Sequence, residues 1–275
     1  MSDPRPIVWL AGYPSSGNIK AQIGLANLLF GRVTSITDLD SKIPPMTVQF
    51  RLPSSPASRD QNYVFTHLVA TDGLINCGPI AGIVYVLRDP IDAGISSAGY
   101  LLPRALDYAA ATPEQIETAR ATLIDFYMRF GTYEPYIAYG YGTWASHVLS
   151  WLNLAVLRKV PFHIIRFSDM RDRGEETLRA AAGFLGLAPS DDQIADALDN
   201  WSLARSRELE EKAIAGRERS RFYKPMLDSA YRKGWRYHGA GGIGYGRDRL
   251  SDAQWQSARF IFGPMADAMN LPIGP

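Results

Sequence analysis

IVWLAGYPSSGNIKAQIGLANLLF, residues 7–30, is the stretch on which the fold reading turns. It opens with an apolar run of strand length, Ile7-Val8-Trp9-Leu10-Ala11. A polar turn follows, Gly12 to Asn18, and then a helical pattern whose apolar face is Ile23, Leu25, Ala26, Leu28 and Leu29. Strand, glycine-bracketed loop and helix, in that order, aim backbone N–H groups and a helix dipole at an anion. Gly12 and Gly17 keep the G-x-x-x-x-G spacing of a phosphate-binding loop. However, Asn18-Ile19 stands where a triphosphate enzyme needs a lysine and a magnesium-holding hydroxyl. A P-loop kinase is therefore the weakest reading of this loop.

Working outward, residues 32–60 are rich in Pro, Ser and Thr and read as loops and short irregular pieces. Asn62 to Val69 is a β-rich run, Cys77-Gly78-Pro79 a turn, and Gly82 to Leu87 a continuous apolar strand suited to burial on both faces. Asp89-Pro90 is a good N-cap and first-turn pair for the next helix. Helices are predicted from Pro113 to about Phe130, Trp144 to Leu157, Glu175 to Leu185, Asp191 to Leu198 and Trp201 to Ala215. Phe162 to Phe167 reads as a fourth strand, and Ser251 opens a last helix. Gly234 to Arg249 is glycine-dense and basic, a loop expected to wrap over something. Strands alternating with helices predict an α/β fold: one domain over 1–275, a central parallel sheet flanked by helices.

Composition narrows the class further. The chain has 275 residues, 46% of them hydrophobic, and a net charge of +1. That suits one sizeable core and gives no support to wholesale nucleic-acid or membrane-surface attraction. Cys77 is the only cysteine, so no intrachain disulfide or cysteine-rich metal site can form. No apolar run approaches the ~20 residues that span a bilayer, and no secretory signal is visible, so a cytoplasmic location is the expectation.

WLAGYPSSGN also resembles the 5′-phosphosulfate loop of the sulfotransferase family, whose bacterial members commonly read W-L-x-S-Y-P-K-S-G-N-T-W. The resemblance implies a P-loop-like sulfotransferase fold. It also implies use of 3′-phosphoadenosine 5′-phosphosulfate (PAPS), with its product PAP, and no metal. Tyr13, Pro14, Ser15, Ser16, Gly17, Asn18 and Ile19 would then cradle the 5′-phosphate. Ser15 stands where the family has its lysine, Ile19 where it has threonine and Lys20 where it has tryptophan.

YVLRDPIDAGISS, Tyr85 to Ser97, is similar to the family's 3′-phosphate motif and places Arg88 and Ser96 on its two gripping positions. Arginine at a strand end offers a forked, permanently charged donor to a phosphate. Asp89 and Asp92 read as cap and helix-dipole residues, and an Arg88–Asp89 structural ion pair is the bland alternative. Phe65-Thr66-His67-Leu68 resembles the family's K-T-H strand end, which implies His67 as the base that takes the acceptor's proton; the lysine is Phe65 here. His147 and His163 read as packing residues, and nothing requires His238 to touch ligand.

Arg166 to Leu187 resembles a further family block, with Phe167 in place of a tyrosine near the nucleotide. Trp201 and Leu203 fall where relatives contact adenine, although Trp201 reads equally well as core. Arg232-Lys233-Gly234 has the charges of the family's closing loop, while Gly241 to Arg247 matches its downstream end.

The implied reaction is in-line displacement at sulfur. Ser15 carries no charge to neutralise the oxygen leaving sulfur, and losing one such group typically costs about 10²–10³ in rate. Lys20, one turn further on, is the candidate to swing in. A lysine restored at 15 should raise turnover; no gain would mean that the charge comes from elsewhere. The acceptor is a small molecule, aromatic or apolar, with its pocket and lid expected over residues 100–141. The aromatics there, Tyr127, Phe130, Tyr133, Tyr136, Tyr139 and Tyr141, serve equally as pocket, core or homodimer surface. The second reading is a sulfotransferase-fold protein with impaired or altered donor use.

Overall fold

Residues 5–46, 52–56, 59–238, 243–244, 247–271 and 273 are described by a computed structural model of the chain. β1 (Ile7–Gly12) is buried along its whole length. Val8 and Leu10 enter one core cluster and Ile7, Trp9 and Ala11 the other, because successive side chains leave a strand on opposite faces. β2 (Asn62–Thr66), β3 (Ile80–Leu87) and β4 (Phe162–Arg166) complete a parallel sheet in the order β2-β1-β3-β4. The continuous apolar run predicted for β3 is buried on both faces, as the pattern requires.

Helices cover the two faces. They are α1 (Asn18–Phe30), α2 (Ile36–Lys42), α3 (Asp72–Ile75), α4 (Pro90–Ala105), α5 (Pro113–Phe130), α6 (Glu134–Ala138), α7 (Trp144–Arg158), α8 (Phe167–Asp172), α9 (Gly174–Phe184), α10 (Asp191–Asn200), α11 (Leu203–Ala215), α12 (Asp228–Arg232) and α13 (Asp252–Ala268). α1 packs on α9 and α10, whereas α5 packs on α4 and α13. Asp89 caps α4 by accepting from the backbone N–H groups of Ile91 and Asp92, with Pro90 at the first helical position. The fold is thus the single α/β domain that the alternation predicted.

Three local readings are corrected. Residues 32–60 hold a regular helix, α2, whose Ser35 side chain accepts from Asp38 N–H; a seven-residue helix gives too short a pattern to stand out. β2 stops at Thr66, because the Thr66 hydroxyl accepts from Leu68 N–H and turns the chain out of the sheet. Trp201 caps α10 rather than opening α11, which starts at Leu203 behind a Ser202 cap.

Candidate active site at the carboxyl edge of the sheet

Parallel strands deliver all their carboxyl ends to one edge. There the loop from Gly12 leaves β1, His67 follows β2, Arg88 follows β3 and Phe167 follows β4. Strand order reverses between β1 and β3, and open α/β sheets bind ligands at such switch points.

Two glycines shape the loop. A Cβ at Gly12 would lie 2.0 Å from Asn18 Oδ1 and 2.9 Å from Val86 O. Gly17 has φ 91°, and a Cβ there would meet Phe167 Cδ2 at 2.7 Å and Met170 Cε at 2.8 Å. Asn18 Nδ2 donates to Tyr13 O at 2.8 Å and Ser16 N–H to the same carbonyl at 3.2 Å. Ser15 takes φ 62°, an uncommon conformation outside glycine. No side chain caps α1. The Ser16 hydroxyl is buried and has no hydrogen-bond partner among the described residues. An orphaned hydroxyl beside an uncapped helix N-terminus suits a phosphate.

His67 is fixed from behind. Its Nδ1 lies 2.6 Å from Gly12 O. A carbonyl only accepts, so Nδ1 holds the proton of the neutral ring and Nε2 keeps its lone pair. Burial pushes the His67 pKa down to about 4, against the Gly12 bond, which raises it; the charge of Arg221 lowers it further. The residue as a whole nevertheless keeps partial exposure, with the Phe65 ring at 4.7 Å and the Tyr141 ring at 5.4 Å between ring centres.

α7 holds the segment behind His67. His147 Nε2–H donates to His67 O at 3.0 Å, Trp151 Nε1–H to Leu68 O at 3.0 Å, and the Ser150 hydroxyl accepts from Ala70 N–H at 3.0 Å. Tyr85 O–H completes the chain by donating to His147 Nδ1 at 2.7 Å. His147 is thus a buried packing residue with an orienting role. Burial pushes its pKa down to about 3.

Both imidazoles are held neutral, whereas an unfolded histidine binds a proton near 6.5. The unfolded chain therefore takes up more protons below that value. The stability involved is present above about pH 6.5 and is lost as pH falls toward 4 and then 3. His147→Gln should flatten the fall in melting temperature between pH 6.5 and 4; an identical acid slope in melts of both proteins would refute this assignment.

Arg88 is 6% exposed. Its Nη1 donates to Ser15 O at 2.8 Å, and its Cζ lies 4.2 Å from the centre of the Phe167 ring. Burial presses its pKa below the usual arginine range, opposed by Asp92 and Asp89. Asp89 pairs with Arg247 at 2.6 Å. Asp92 accepts from Arg247 Nε at 3.1 Å and from Gly244 N–H at 3.1 and 3.0 Å. Asp92 is therefore more than a helix-dipole residue: it docks the glycine-dense loop beside Arg88. Gly241, Gly242, Tyr245 and Gly246 of that loop lie outside the described residues.

The other sequence candidates are placed as follows. Tyr13 and Ile19 are core side chains, and the Tyr13 hydroxyl reaches Thr132 Oγ1 at 3.4 Å. Pro14 is buried in the turn. Lys20 Nζ donates to Met170 O at 3.0 Å and lies 5.0 Å from the Trp201 ring centre, so in this conformation it points to α8. Trp201 is buried in the core, and Leu203 is exposed. Ser96 faces solvent, while its buried neighbour Ser97 donates to Ser15 Oγ at 3.0 Å. Arg232 pairs with Asp228 at 2.9 Å, Lys233 Nζ donates to Ala111 O at 3.2 Å, and Gly234 has φ 84°. His163 stacks on Phe184, and His238 Nδ1 lies 2.7 Å from the buried carboxylate of Glu210.

The aromatics of 100–141 separate by environment. Tyr127, Tyr133 and Tyr136 are core, Phe130 and Tyr139 are 55% and 54% exposed, and Tyr141 alone among them is within ring contact of His67. The bonds that Ser97, His147, Trp151 and the Asp92–Arg247 pair make are not legible in the sequence. Their partners lie 62 to 155 residues away, and no local spacing encodes that.

A family model described as "Sulfotransferase domain" matches residues 43–235. The chain belongs to the sulfotransferase family. The matched range begins after α2, so the first loop and its helix rest on the geometry above. Solved sulfotransferase-type structures share the fold at low identity. The mouse sulfotransferase SULT7A1 complexed with PAP is 15% identical with a TM-score of 0.60, over 96% of this chain and 85% of that one. Retinol dehydratase in a complex with retinol and PAP is 16% identical with a TM-score of 0.61, over 99% and 84%. Retinol dehydratase with androsterone and inactive cofactor PAP is 15% identical with a TM-score of 0.55, over 97% and 82%. No curated protein gives a significant sequence match. Among the described residues there is no His, Cys, Asp and Glu group that could hold a metal, and no helix long and apolar enough to cross a membrane.

Proposed function

We propose that this sulfotransferase moves a sulfuryl group from PAPS to a hydroxyl or amine of a small apolar acceptor, with His67 as general base. The observation that carries this reading is the tautomer imposed on His67. Nδ1–H donates to Gly12 O, which leaves an unprotonated Nε2 at the edge where the phosphate loop and Arg88 also end. PAPS supplies an activated sulfur bound to a phosphate leaving group. Ser16 Oγ and the open N–H groups of α1 suit its 5′-phosphate, and Arg88 with Ser96 suits its 3′-phosphate. Arg88 is buried beneath Phe167, so a nucleotide can reach it only when that ring moves aside. Tyr141 and Phe65 flank His67 and offer an apolar acceptor two walls, with residues 100–141 as the lid.

Altered donor use is the second reading, and two observations favour keeping it. Ser15 carries no charge, and Lys20 is turned to Met170 O. Calorimetry with PAP and a sulfate-transfer assay on phenols, alcohols and amines separate the two. Micromolar PAP binding with transfer supports the first reading, binding without transfer supports impaired donor use, and no PAP binding removes the first reading and leaves use of another donor.

A further inference from the structure

Two lysines of the family motifs, one in the phosphosulfate loop and one two residues before His67, are Ser15 and Phe65 here. Arg221 stands beside the second of these positions. Its Cζ stands 5.6 Å from the centre of the Phe65 ring, two residues before His67. Its Nη1 donates to Gln22 Oε1 at 3.1 Å, on α1 one turn beyond Asn18, and its Nη2 pairs with Asp40 of α2. The side chain is 20% exposed, and its positive charge reaches His67 and Tyr237.

The space around Arg221 also holds donors with nothing to donate to. Arg221 Nε and Gln22 Nε2 are both buried and lack hydrogen-bond partners among the described residues, and Gln22 is fully buried. Buried donors are ordinarily satisfied, so two orphans on adjacent side chains mark a place for an acceptor, here an oxyanion. Asp40 engages only the Nη2 end of the fork, which fixes the guanidinium and leaves its other edge turned to Gln22 and the Phe65 ring. Burial raises the Asp40 pKa, and Arg221 opposes that rise. Arginine keeps its charge under such burial.

We infer that Arg221, held by Gln22 and Asp40, supplies the positive charge that stabilises the sulfuryl oxygens during transfer, in place of the missing lysines. Arg221 forms no covalent bond: the acceptor oxygen bonds to sulfur, the bond from sulfur to the phosphate oxygen breaks, and His67 takes the acceptor's proton. This inference rests on the sulfotransferase reading above.

The test compares Arg221→Gln and Arg221→Lys with the unmodified protein, by transfer kinetics with PAPS and calorimetry with PAP. Arg221→Gln should lower kcat about 30- to 300-fold, with PAP affinity and acceptor KM within about threefold. Arg221→Lys should stay within about tenfold of the unmodified protein, because it keeps the charge. Without the cation, His67 holds its proton to higher pH, so the acid limb of kcat/KM should move up in Arg221→Gln and not in Arg221→Lys. Ser15→Lys on the Arg221→Gln background should recover at least about tenfold.

An Arg221→Gln variant within threefold of normal kcat overturns the inference. So does a loss confined to acceptor KM, or one that Arg221→Lys shares in full. If Arg221→Gln fails to melt cooperatively, Arg221→Lys decides alone: activity within tenfold sustains the role, and a loss beyond 30-fold in a folded protein ends it. An unmodified protein that neither binds PAP nor transfers sulfate removes the parent reading and this one together. Transfer that is indifferent to Arg221 removes only this one.

Discussion

His67→Ala should lower the turnover of sulfuryl transfer about 10³-fold and leave PAP affinity within about twofold. The size follows from removing a positioned general base, which is typically worth 10²–10⁴. The selectivity follows from placement: His67 follows β2, whereas the phosphate loop and Arg88 follow β1 and β3, the two strands that flank the switch point. The pH profile gives an independent reading. Burial holds the His67 pKa at about 4, so the basic form dominates well below neutrality. kcat/KM should run level from pH 8 to about 5 and decline only toward 4, rather than breaking near the unperturbed value of about 6.5. Turnover of His67→Ala within tenfold of normal, in a protein that melts normally, would show that another group takes the proton.

Arg88→Ala should weaken PAP binding by about 10- to 100-fold, with calorimetry as the measurement that checks it. Charge-assisted hydrogen bonds to phosphate are the strong ones, and Arg88 offers a fork at the strand end next to the loop. Its Nη1 already holds Ser15 O, so the substitution also frees a loop residue that sits at positive φ. Both effects act in the same direction on the nucleotide. Arg88→Lys should recover little, because a single ammonium cannot hold the loop carbonyl and a phosphate with the same geometry. Unchanged PAP affinity in Arg88→Ala would leave this arginine a structural strut between β3 and the loop and would take the 3′-phosphate assignment with it.

The two results bear on different parts of the site, and each part was legible to a different degree. The apolar runs at Ile7 and Gly82, the glycines at 12 and 17 and the Asp89-Pro90 cap are local signals, because strand burial, a left-handed turn and a helix start are decided within a few residues. The short helix α2 was missed because its period is too brief to register and its Ser35 cap is hidden among other turn-forming residues. Lys20 was placed by spacing alone. In the fold its direction is set by Met170 O, 150 residues on, and by the ring of Trp201.

The sequence by itself therefore determined the α/β class, the parallel sheet, the glycine-bracketed turn after β1 and the strand ends, because backbone geometry and hydrophobic period are short-range properties. Only the tertiary structure decided which tautomer His67 adopts, that Asp92 receives Arg247 and Gly244, and that Arg221 stands over Phe65. Those outcomes depend on groups brought together by the packing of α1, α2, α4 and α7 on the sheet. A hydrogen bond between residues 150 positions apart leaves no periodicity behind it.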